Sequence, residues 1–243
     1  MDLSGIDPGS SGEPATTAVE LFLDTIAHEV RTPLAIAKMA ATTVVTRQEL
    51  DEAERERLLA VVVRNTDLAL LLLDRMNLAK DVESNAVHLL TEAVDLTTLV
   101  AETVGDLRLS VLEHHPVEVV GSSGVMIEAD ATAVREILLN LLLNAAKYSP
   151  DGAPIEVVVA GDSDEATVAV RDRGDGIAEA DLEHMFGKYV QKRPGGGGVG
   201  LGLYISRGLA RAHGGDLVAR AGLEEGSEFV VRFPVGGPGG ESD

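Results

Sequence analysis

Residues 27–34 of the chain read AHEVRTPL, and they lie inside a long amphipathic pattern that predicts a helix. Apolar residues recur at steps of three and four around this stretch, which places them on one face of that helix. His28 follows Ile26 by two positions, about 200° around the helix. It is therefore predicted to point sideways or to solvent, either as an ordinary surface residue or as a nucleophile. The apolar face consists of Val19, Leu23, Ile26, Val30, Leu34, Ala37, Ala41 and Val44.

The residues that follow His28 favour the interpretation as a nucleophile. Glu29 can hydrogen-bond one imidazole nitrogen and so raise the nucleophilicity of the other. Thr32 lies one turn after His28 on the same helix face. Because Pro33 has no amide proton, the helix is expected to bend beside the histidine.

A second helix is predicted from about Asp51 to Asp81, after the first ends near Arg47. Its apolar stripe is wider than one partner helix can cover, so a lone hairpin would be unstable. Two hairpins that pair as a four-helix bundle would bury the stripe, and we expect a homodimer. The alternative is an intramolecular helix pair that packs on the rest of the chain. The stripe contains Leu58, Leu59, Val62, Val63, Asn65, Ala69, Leu70, Leu71, Leu72, Leu73, Met76 and Ala79.

After residue 85, short predicted strands alternate with helices. The pattern predicts a mixed sheet with helices on one face, which is an α/β sandwich. Asp95 and Asp130 are predicted N-caps, and Gly214 and Gly215 are predicted to end the last helix directly after His213. The expected strands cover residues 86–91, 116–120, 125–129, 155–160, 166–172, 216–221 and 227–233, and the expected helices cover residues 96–109, 131–147 and 201–213.

Four segments are expected along the chain. Residues 1–15 and 236–243 are rich in Gly, Ser and Pro and are predicted to be a flexible leader and a flexible tail. Residues 16–84 carry the helical hairpin, and residues 85–235 carry the α/β part. The predicted fold class is therefore α plus α/β: a dimeric four-helix bundle followed by an α/β sandwich.

Composition limits the partners of the chain. Its 243 residues suffice for one or two domains with real cores, and the 3% aromatic content means that those cores are mainly aliphatic. A net charge of −20 argues against nucleic acid or an anionic membrane as a partner. The sequence has no cysteine, no visible targeting segment and no apolar run long enough to span a bilayer. We expect a cytoplasmic protein without membrane contact.

Two asparagines stand at i and i+4 on a helix that is otherwise rich in leucine. Asn140 and Asn144 share one edge of that helix. An amide oxygen is a hard, neutral ligand suited to Mg²⁺, which also takes phosphate oxygens of its substrate. Lys147, three residues after Asn144, can approach the same phosphates. The alternative is a polar edge that only caps an apolar core.

Two glycine-rich motifs come later in the chain. In residues 172–177, DRGDGI, the carboxylate of Asp172 ends a strand and can accept a hydrogen bond from the amine of adenine while the backbone approaches the ring. Alone, this motif also fits an ordinary turn. Residues 195–203, GGGGVGLGL, can present backbone amides to phosphate at a helix start. A glycine-rich linker is the alternative, but a linker would not continue directly into an apolar helix.

These motifs together resemble a known family. Residues 28–34, HEVRTPL, resemble the phospho-acceptor box of the sensor histidine kinases of bacterial two-component systems. Further matches follow in the order of the N, G1, F and G2 boxes of the GHKL ATPase superfamily, and the resemblance covers about residues 18–233. Members of the superfamily that hydrolyse ATP carry a glutamate where this chain has Asn140. The absence of a carboxylate that would activate water suits an enzyme that transfers the phosphoryl group of ATP to a histidine. The matching residues are Asn140 and Asn144, Asp172-x-Gly174-x-Gly176, Phe186, and Gly198-x-Gly200-x-Gly202.

The resemblance implies a role for each matching residue. Asn144 is expected to bind Mg²⁺ with support from Asn140, and Asp172 is expected to hold the adenine amine. Residues 186–199 are expected to form an ATP lid, in which Tyr189 replaces the second phenylalanine usual in the family. Lys188, Lys192 and Arg193 are candidates for contact with the γ-phosphate. The complete expected ATP-binding set is Asn140, Asn144, Lys147, Tyr148, Asp172, Gly174, Gly176, Ile177, Lys188, Arg193, Gly198, Gly200, Leu201, Gly202 and Leu203.

The expected reaction is transfer of phosphate from ATP to His28, with Glu29 as base, and then to an aspartate on a response-regulator receiver domain. One rival is a phosphatase of that regulator, in which Thr32 orients water; another is an ATP-gated dimeric scaffold without catalysis. A simple ATPase is disfavoured by Asn140. Only 27 residues precede His28, so the chain is either an excised catalytic core or a kinase that receives its signal from a separate sensor protein. The other histidines show no metal-ligand spacing, and His213 is placed where a partial positive charge at a helix end is favourable.

Overall fold

The structure is a computed structural model that describes residues 13–47, 49–191, 199–220 and 226–238, with side chains from residue 27 onward. The described chain separates into two compact units. The first contains the two long helices up to Asp74, together with Val199, and the second contains the remainder from Arg75. The expected domain limits at residues 16, 84 and 235 stay a prediction. Within the described part of the chain, no helix is both long enough and apolar enough to cross a membrane.

The first unit contains most of the predicted helical hairpin, and the last turns of its second helix, from Arg75 onward, belong to the second unit. Helix α1 covers Glu13–Thr46 and continues through Pro33, and helix α2 covers Glu52–Glu83. Helix α2 starts at a reciprocal capping box, because the Glu54 amide donates to Asp51 Oδ1 (2.7 Å) and the Asp51 amide donates to Glu54 Oε2 (3.4 Å). Both helices end within two residues of the positions that the sequence predicts.

Many apolar side chains of the first unit remain exposed in the single chain. Small residues fill the buried positions, among them Ala37, Ala40 and Ala69. Larger apolar residues stay outside, and exposed apolar surface of this extent on a helix pair indicates a contact with another surface. The exposed residues are Leu34, Ile36, Met39, Val45, Leu59, Val63, Leu68, Leu70, Leu71 and Leu73.

Asn65 is the polar exception on the stripe of α2. It is buried, and its amide nitrogen donates to the carbonyl oxygen of Val61 one turn earlier (2.8 Å). A buried polar residue at such a position costs stability and can fix the register of a helical bundle.

We expect Asn65→Leu to raise the melting temperature by a few degrees, because leucine fills the same stripe without a buried amide. Calorimetry measures this shift, and sedimentation shows whether the variant remains monodisperse. A clear loss of stability in a monodisperse variant would reject the register role.

The second unit adds strands and further α-helices to the end of α2. These elements are β1 Glu92–Asp95, α3 Leu96–Leu107, β2 Val117–Gly121, β3 Met126–Ala129, α4 Ala131–Tyr148, β4 Ile155–Gly161, β5 Glu165–Arg171, α5 Gly202–Ala212, β6 Asp216–Arg220 and β7 Glu228–Pro234. The main sheet of this unit has five strands in the order β2-β4-β5-β7-β6, with β2 and β4 parallel and the other neighbours antiparallel, while β1 and β3 form a separate antiparallel pair. Helices α3, α4 and α5 each contact the main sheet.

Both predicted helix caps are confirmed. Asp95 Oδ1 accepts the amide protons of Thr97 (3.0 Å) and Thr98 (3.2 Å) at the start of α3. Asp130 Oδ1 does the same for Thr132 (2.9 Å) and Ala133 (3.0 Å) at the start of α4. These caps satisfy amide groups that have no partner inside the helix, and they fix where the asparagine-bearing helix α4 begins.

The strand predicted at residues 86–91 is wrong. Strand β1 begins only at Glu92, which pairs with Ala129. The partner strand β3 stops at Ala129 because Asp130 caps the next helix, and Asp130 also accepts the amide proton of Leu90 (2.9 Å). Residues 86–91 therefore have no ladder to join. The expected single sheet is likewise corrected, since β1 and β3 pair apart from the other five strands.

Candidate functional site

The phospho-acceptor candidate lies in α1. His28 is exposed, as the helical periodicity predicts, and Glu29 is half-buried. The hydroxyl of Thr32 donates to the carbonyl oxygen of His28 (3.0 Å). The imidazole is thus open to a reactant, and the Thr32 oxygen keeps the capacity to accept a hydrogen bond from water.

Asn140 joins the two helices that carry the N and G2 motifs. It is buried in α4, and its Nδ2 atom donates to Ser206 Oγ of α5 (3.0 Å). A Cβ atom at Gly202 would lie 2.1 Å from Asn140 Oδ1, so a larger residue at the start of α5 would displace the Asn140 side chain. Asn144, one turn after Asn140, is half-buried. The structure therefore brings Asn140 and Gly202 together, as the motif pairing requires.

Asp172 lies where β5 ends and β7 begins. It is 5% exposed, and its Oδ1 atom accepts the amide protons of Gly174 (2.8 Å) and Ser227 (3.2 Å). A Cβ atom at Gly174 would lie 2.5 Å from the carbonyl oxygen of Tyr148, and one at Gly226 would lie 1.8 Å from that of Asp172. Glycine is thus required on both sides of the carboxylate, whose orientation is held by two backbone amides.

The start of α5 is shaped by Gly200. This residue has φ +72°, and a Cβ atom there would lie 2.7 Å from the carbonyl carbon of Tyr189. The Tyr189 amide donates to the Gly200 carbonyl (2.9 Å), and burial raises the pKa of Tyr189 to about 12, which keeps its phenol protonated. Leu201 precedes α5, and no side chain within the described ranges caps the helix there. Of the other expected pocket residues, Leu201 is buried, while Ile177 and Leu203 are half-buried.

The expected cations occupy different environments. Lys147 is exposed, with its Nζ atom 5.3 Å from the centre of the Tyr148 ring. Lys188 forms an ion pair with Glu83 and lies 5.2 Å from the centre of the Tyr204 ring. Lys192, Arg193 and the glycines at 195–198 lie outside the described residues. The assignment of a phosphate contact to Lys188 or Arg193 stays a prediction.

Arg207 is a residue that the sequence reasoning missed. Its guanidinium lies 4.6 Å from the centre of the buried Phe186 ring, and it pairs with Glu183 (2.8 Å) and with Asp216 (3.0 Å). The hydrogen bond from Arg207 holds the pKa of Glu183 below its usual value. Arg207 therefore ties the segment that leads into the lid to α5 and β6. Arg207 lies four residues after Leu203 in α5 and belongs to none of the recognised motifs, so the sequence alone did not indicate its role.

His213 differs from its expected role. It is buried, its Nδ1 atom lies 2.7 Å from the Leu209 carbonyl oxygen, and the Asp130 amide donates to its Nε2 atom (3.1 Å). These two partners require a neutral ring with its proton on Nδ1. The expected partial positive charge at this helix end is therefore wrong, and His213 instead links the end of α5 to the start of α4.

Two protein-family models match the chain. The His Kinase A (phospho-acceptor) domain matches residues 18–84, and the histidine kinase-, DNA gyrase B- and HSP90-like ATPase domain matches residues 129–237. The first match includes the hairpin with His28. The second includes Asn140, Asp172 and Gly202, which surround the candidate nucleotide site.

Similar proteins are sensor kinases. The sensor histidine kinase MtrB of Mycobacterium tuberculosis is 31% identical over 222 residues, which cover 88% of this chain and 39% of MtrB. The sensory kinase SasA of a Synechococcus strain is 31% identical over 90% of this chain and 57% of SasA. Among solved structures, full-length ShkA in complex with AMPPNP has a TM-score of 0.67 at 25% identity and covers 89% of this chain and 46% of ShkA.

The first curated relatives are much longer than this chain, which spans 24% of the KdpD sensor protein of Clostridium acetobutylicum and 39% of MtrB. The chain belongs to the sensor histidine kinases of two-component systems and carries the catalytic core of that family.

Proposed function

We propose that the chain is an ATP-dependent protein histidine kinase that phosphorylates His28 and then passes the phosphoryl group to an aspartate of a response-regulator receiver domain. The observation that carries this proposal is the exposed His28 on a hairpin that is followed by an ATPase-type unit with Asn140 in place of a hydrolytic glutamate. The similarity to ShkA, whose structure contains AMPPNP, supports the use of ATP.

The nucleotide site is proposed to lie between α4, the Asp172 loop and the start of α5. Asp172 would accept the adenine amine, and the backbone amides at the start of α5 would meet phosphate. The donor set fits Mg²⁺, since the Asn144 amide oxygen is a hard, neutral ligand and Mg²⁺ completes its coordination with water and with phosphate oxygens of the nucleotide. When bound, Mg²⁺ supplies charge neutralisation on the phosphates.

Catalysis in this proposal consists mainly of positioning and charge stabilisation. Glu29 takes the imidazole proton as His28 attacks the γ-phosphorus, the bond to the β,γ-bridging oxygen breaks, and ADP leaves. Asn140 holds the start of α5 in place through its contacts with Ser206 and Gly202. Because Asn140 has an amide in place of a carboxylate, it cannot act as a base that activates water, and the phosphoryl group is kept for His28.

Incubation with γ-labelled ATP tests the proposal directly. A histidine kinase gives stable protein-bound label that resists alkali and is lost in acid. An ATPase releases labelled phosphate without labelled protein, and a scaffold gives neither product. Absence of protein label in the presence of Mg²⁺ would reject the kinase function.

A homodimer is proposed on the exposed apolar surface of the first unit, which includes Val63, Leu70 and Leu71 of α2. Pairing of two hairpins in a four-helix bundle removes this surface from water. Sedimentation equilibrium of the purified chain should give twice the monomer mass of 25.5 kDa.

A phosphatase activity toward the same regulator is a second candidate, and Thr32 is the residue that favours it. Its hydroxyl is held one turn after His28 by the bond to the His28 carbonyl. From there it can orient a water molecule for in-line attack on a phosphoaspartate docked at His28. Attack of His28 on ATP needs no such water.

We therefore expect Thr32→Ala to retain autophosphorylation and phosphotransfer but to lose phosphatase activity at least severalfold. The three activities are measured on the purified variant with its cognate regulator. If Thr32 only shapes the helix before Pro33, the substitution changes all three activities together or none, and that result would reject the phosphatase role.

A further inference from the structure

A row of alternating charges crosses four neighbouring strands at one end of the main sheet. Glu156 of β4 pairs in register with Arg171 of β5, Arg171 with Glu228 of β7, and Glu228 with Arg220 of β6. The ion pairs follow this register: Arg171 donates to Glu156 (2.7 Å) and to Glu228 (2.6 Å), and Arg220 donates to Glu228 (2.8 Å). We call these four residues the charge row.

Glu228 is the buried centre of the charge row. Its side chain is 3% exposed, while those of Arg171 and Arg220 are about half exposed. Burial of a carboxylate is costly unless its oxygens are paired, and here each oxygen accepts from a different arginine. The hydrogen bond that Arg171 donates to Glu228 raises the pKa of Arg171. Strands β5, β7 and β6 are thus fastened together through one side chain.

The charge row stands directly beside the residue proposed to recognise adenine. Arg171 and Glu228 are the last ladder pair of β5 and β7. Just beyond this pair, Asp172 follows Arg171 at the end of β5, and Ser227 precedes Glu228 at the start of β7. The Asp172 amide donates to the Ser227 carbonyl (3.0 Å), and the Ser227 amide donates to Asp172 Oδ1 (3.2 Å). Any shift between the ends of β5 and β7 therefore changes the orientation of the Asp172 carboxylate.

We propose that Glu228 is a positioning residue for adenine recognition, which it supports by holding Arg171 and Arg220 so that Ser227 and Asp172 stay in register. This inference rests on the proposed nucleotide site. Glu228 itself does not touch the nucleotide, because successive side chains of a strand point to opposite faces of a sheet. Its effect reaches the base only through the backbone of β5 and β7.

The test compares ADP with IDP, in which a carbonyl oxygen replaces the adenine amine, by calorimetry with Mg²⁺. Glu228→Gln removes the negative charge that both arginines share, so the ion pairs with Arg171 and with Arg220 are both lost. The size of the side chain is kept, but its amide NH₂ group faces one of the two arginines, so a donor meets a donor there. We expect ADP affinity to fall about 3- to 10-fold, with little change for IDP. Asp172→Asn is the reference, and it should lower the ratio of ADP to IDP affinity further.

Glu165→Gln is the matched control. Glu165 begins β5 at the opposite end of the same strand pair and forms an ion pair with Arg232 (3.7 Å). Loss of the Glu165–Arg232 ion pair should leave the affinities for ADP and IDP unchanged. Arg220→Gln serves as a second variant if Glu228→Gln does not fold, because it leaves the Arg171–Glu228 pair in place; it should lower ADP affinity in the same direction by a smaller factor.

The outcomes separate the two proposals. If Asp172→Asn lowers the ADP to IDP ratio but Glu228→Gln and Arg220→Gln do not, the positioning role is wrong and the adenine site stands. Equal loss of ADP and IDP affinity with a lower melting temperature in Glu228→Gln would assign the charge row to sheet stability alone and overturn the inference. If Asp172→Asn leaves the ratio unchanged, the adenine site fails, and the role of Glu228 fails with it.

Discussion

His28→Gln is expected to abolish incorporation of label from γ-labelled ATP, the largest effect that any single substitution should have on this chain. Glutamine has no ring nitrogen that can form a phosphoramidate, and it keeps a polar side chain at an exposed helix position. The fold should therefore be preserved. Protein-bound label is measured after gel separation, with alkaline and acidic washes that identify phosphohistidine.

Nucleotide binding by the His28→Gln variant should be unchanged, because the residues of the proposed ATP site belong to the second unit. His114→Gln is a suitable control, since His114 is also exposed and lies in a loop of that unit. The His114→Gln variant should incorporate label from γ-labelled ATP as the unchanged protein does. Normal labelling of His28→Gln would contradict the central assignment, whereas loss of both labelling and ADP binding would point to a folding defect.

Local signals account for the elements that the sequence predicts well. The caps at Asp95 and Asp130 act within three residues, and the helical periodicity of α1 places His28 on the exposed side. Alternating apolar residues also predict β4, β5 and β7 to within one residue. These features depend on neighbours in the chain, so one sequence contains enough information to find them.

Features that depend on tertiary contacts are not visible in this way. The strand predicted at 86–91 does not form because its partner strand ends at Ala129. The buried ring of His213 accepts a hydrogen bond from the amide of Asp130, which lies 83 positions away in the chain. The charge row is equally hidden, since Glu156, Arg171, Arg220 and Glu228 meet only through the register of four strands. The motifs of the nucleotide site could be identified, but not the residues that hold them in place.

Asp172 gives the second large effect, on the choice of nucleotide. Its Oδ1 atom already accepts two backbone amides, from Gly174 and Ser227. An asparagine can keep those two bonds through its own amide oxygen, and its NH₂ group then takes the other position of the carboxylate. In the proposed site that group faces the adenine amine, so a donor meets a donor.

We therefore expect Asp172→Asn to weaken ADP binding by about 10- to 100-fold, since an unsatisfied buried donor costs roughly 1–3 kcal/mol. IDP offers a carbonyl oxygen at the same place and should lose much less affinity. Asn144→Asp is the contrasting variant, because it changes the charge of the proposed metal ligand and should alter the Mg²⁺ dependence of binding without changing the ratio of ADP to IDP affinity. Calorimetry on both variants tests the proposed adenine site. An unchanged ADP affinity in Asp172→Asn would show that adenine does not bind beside Asp172.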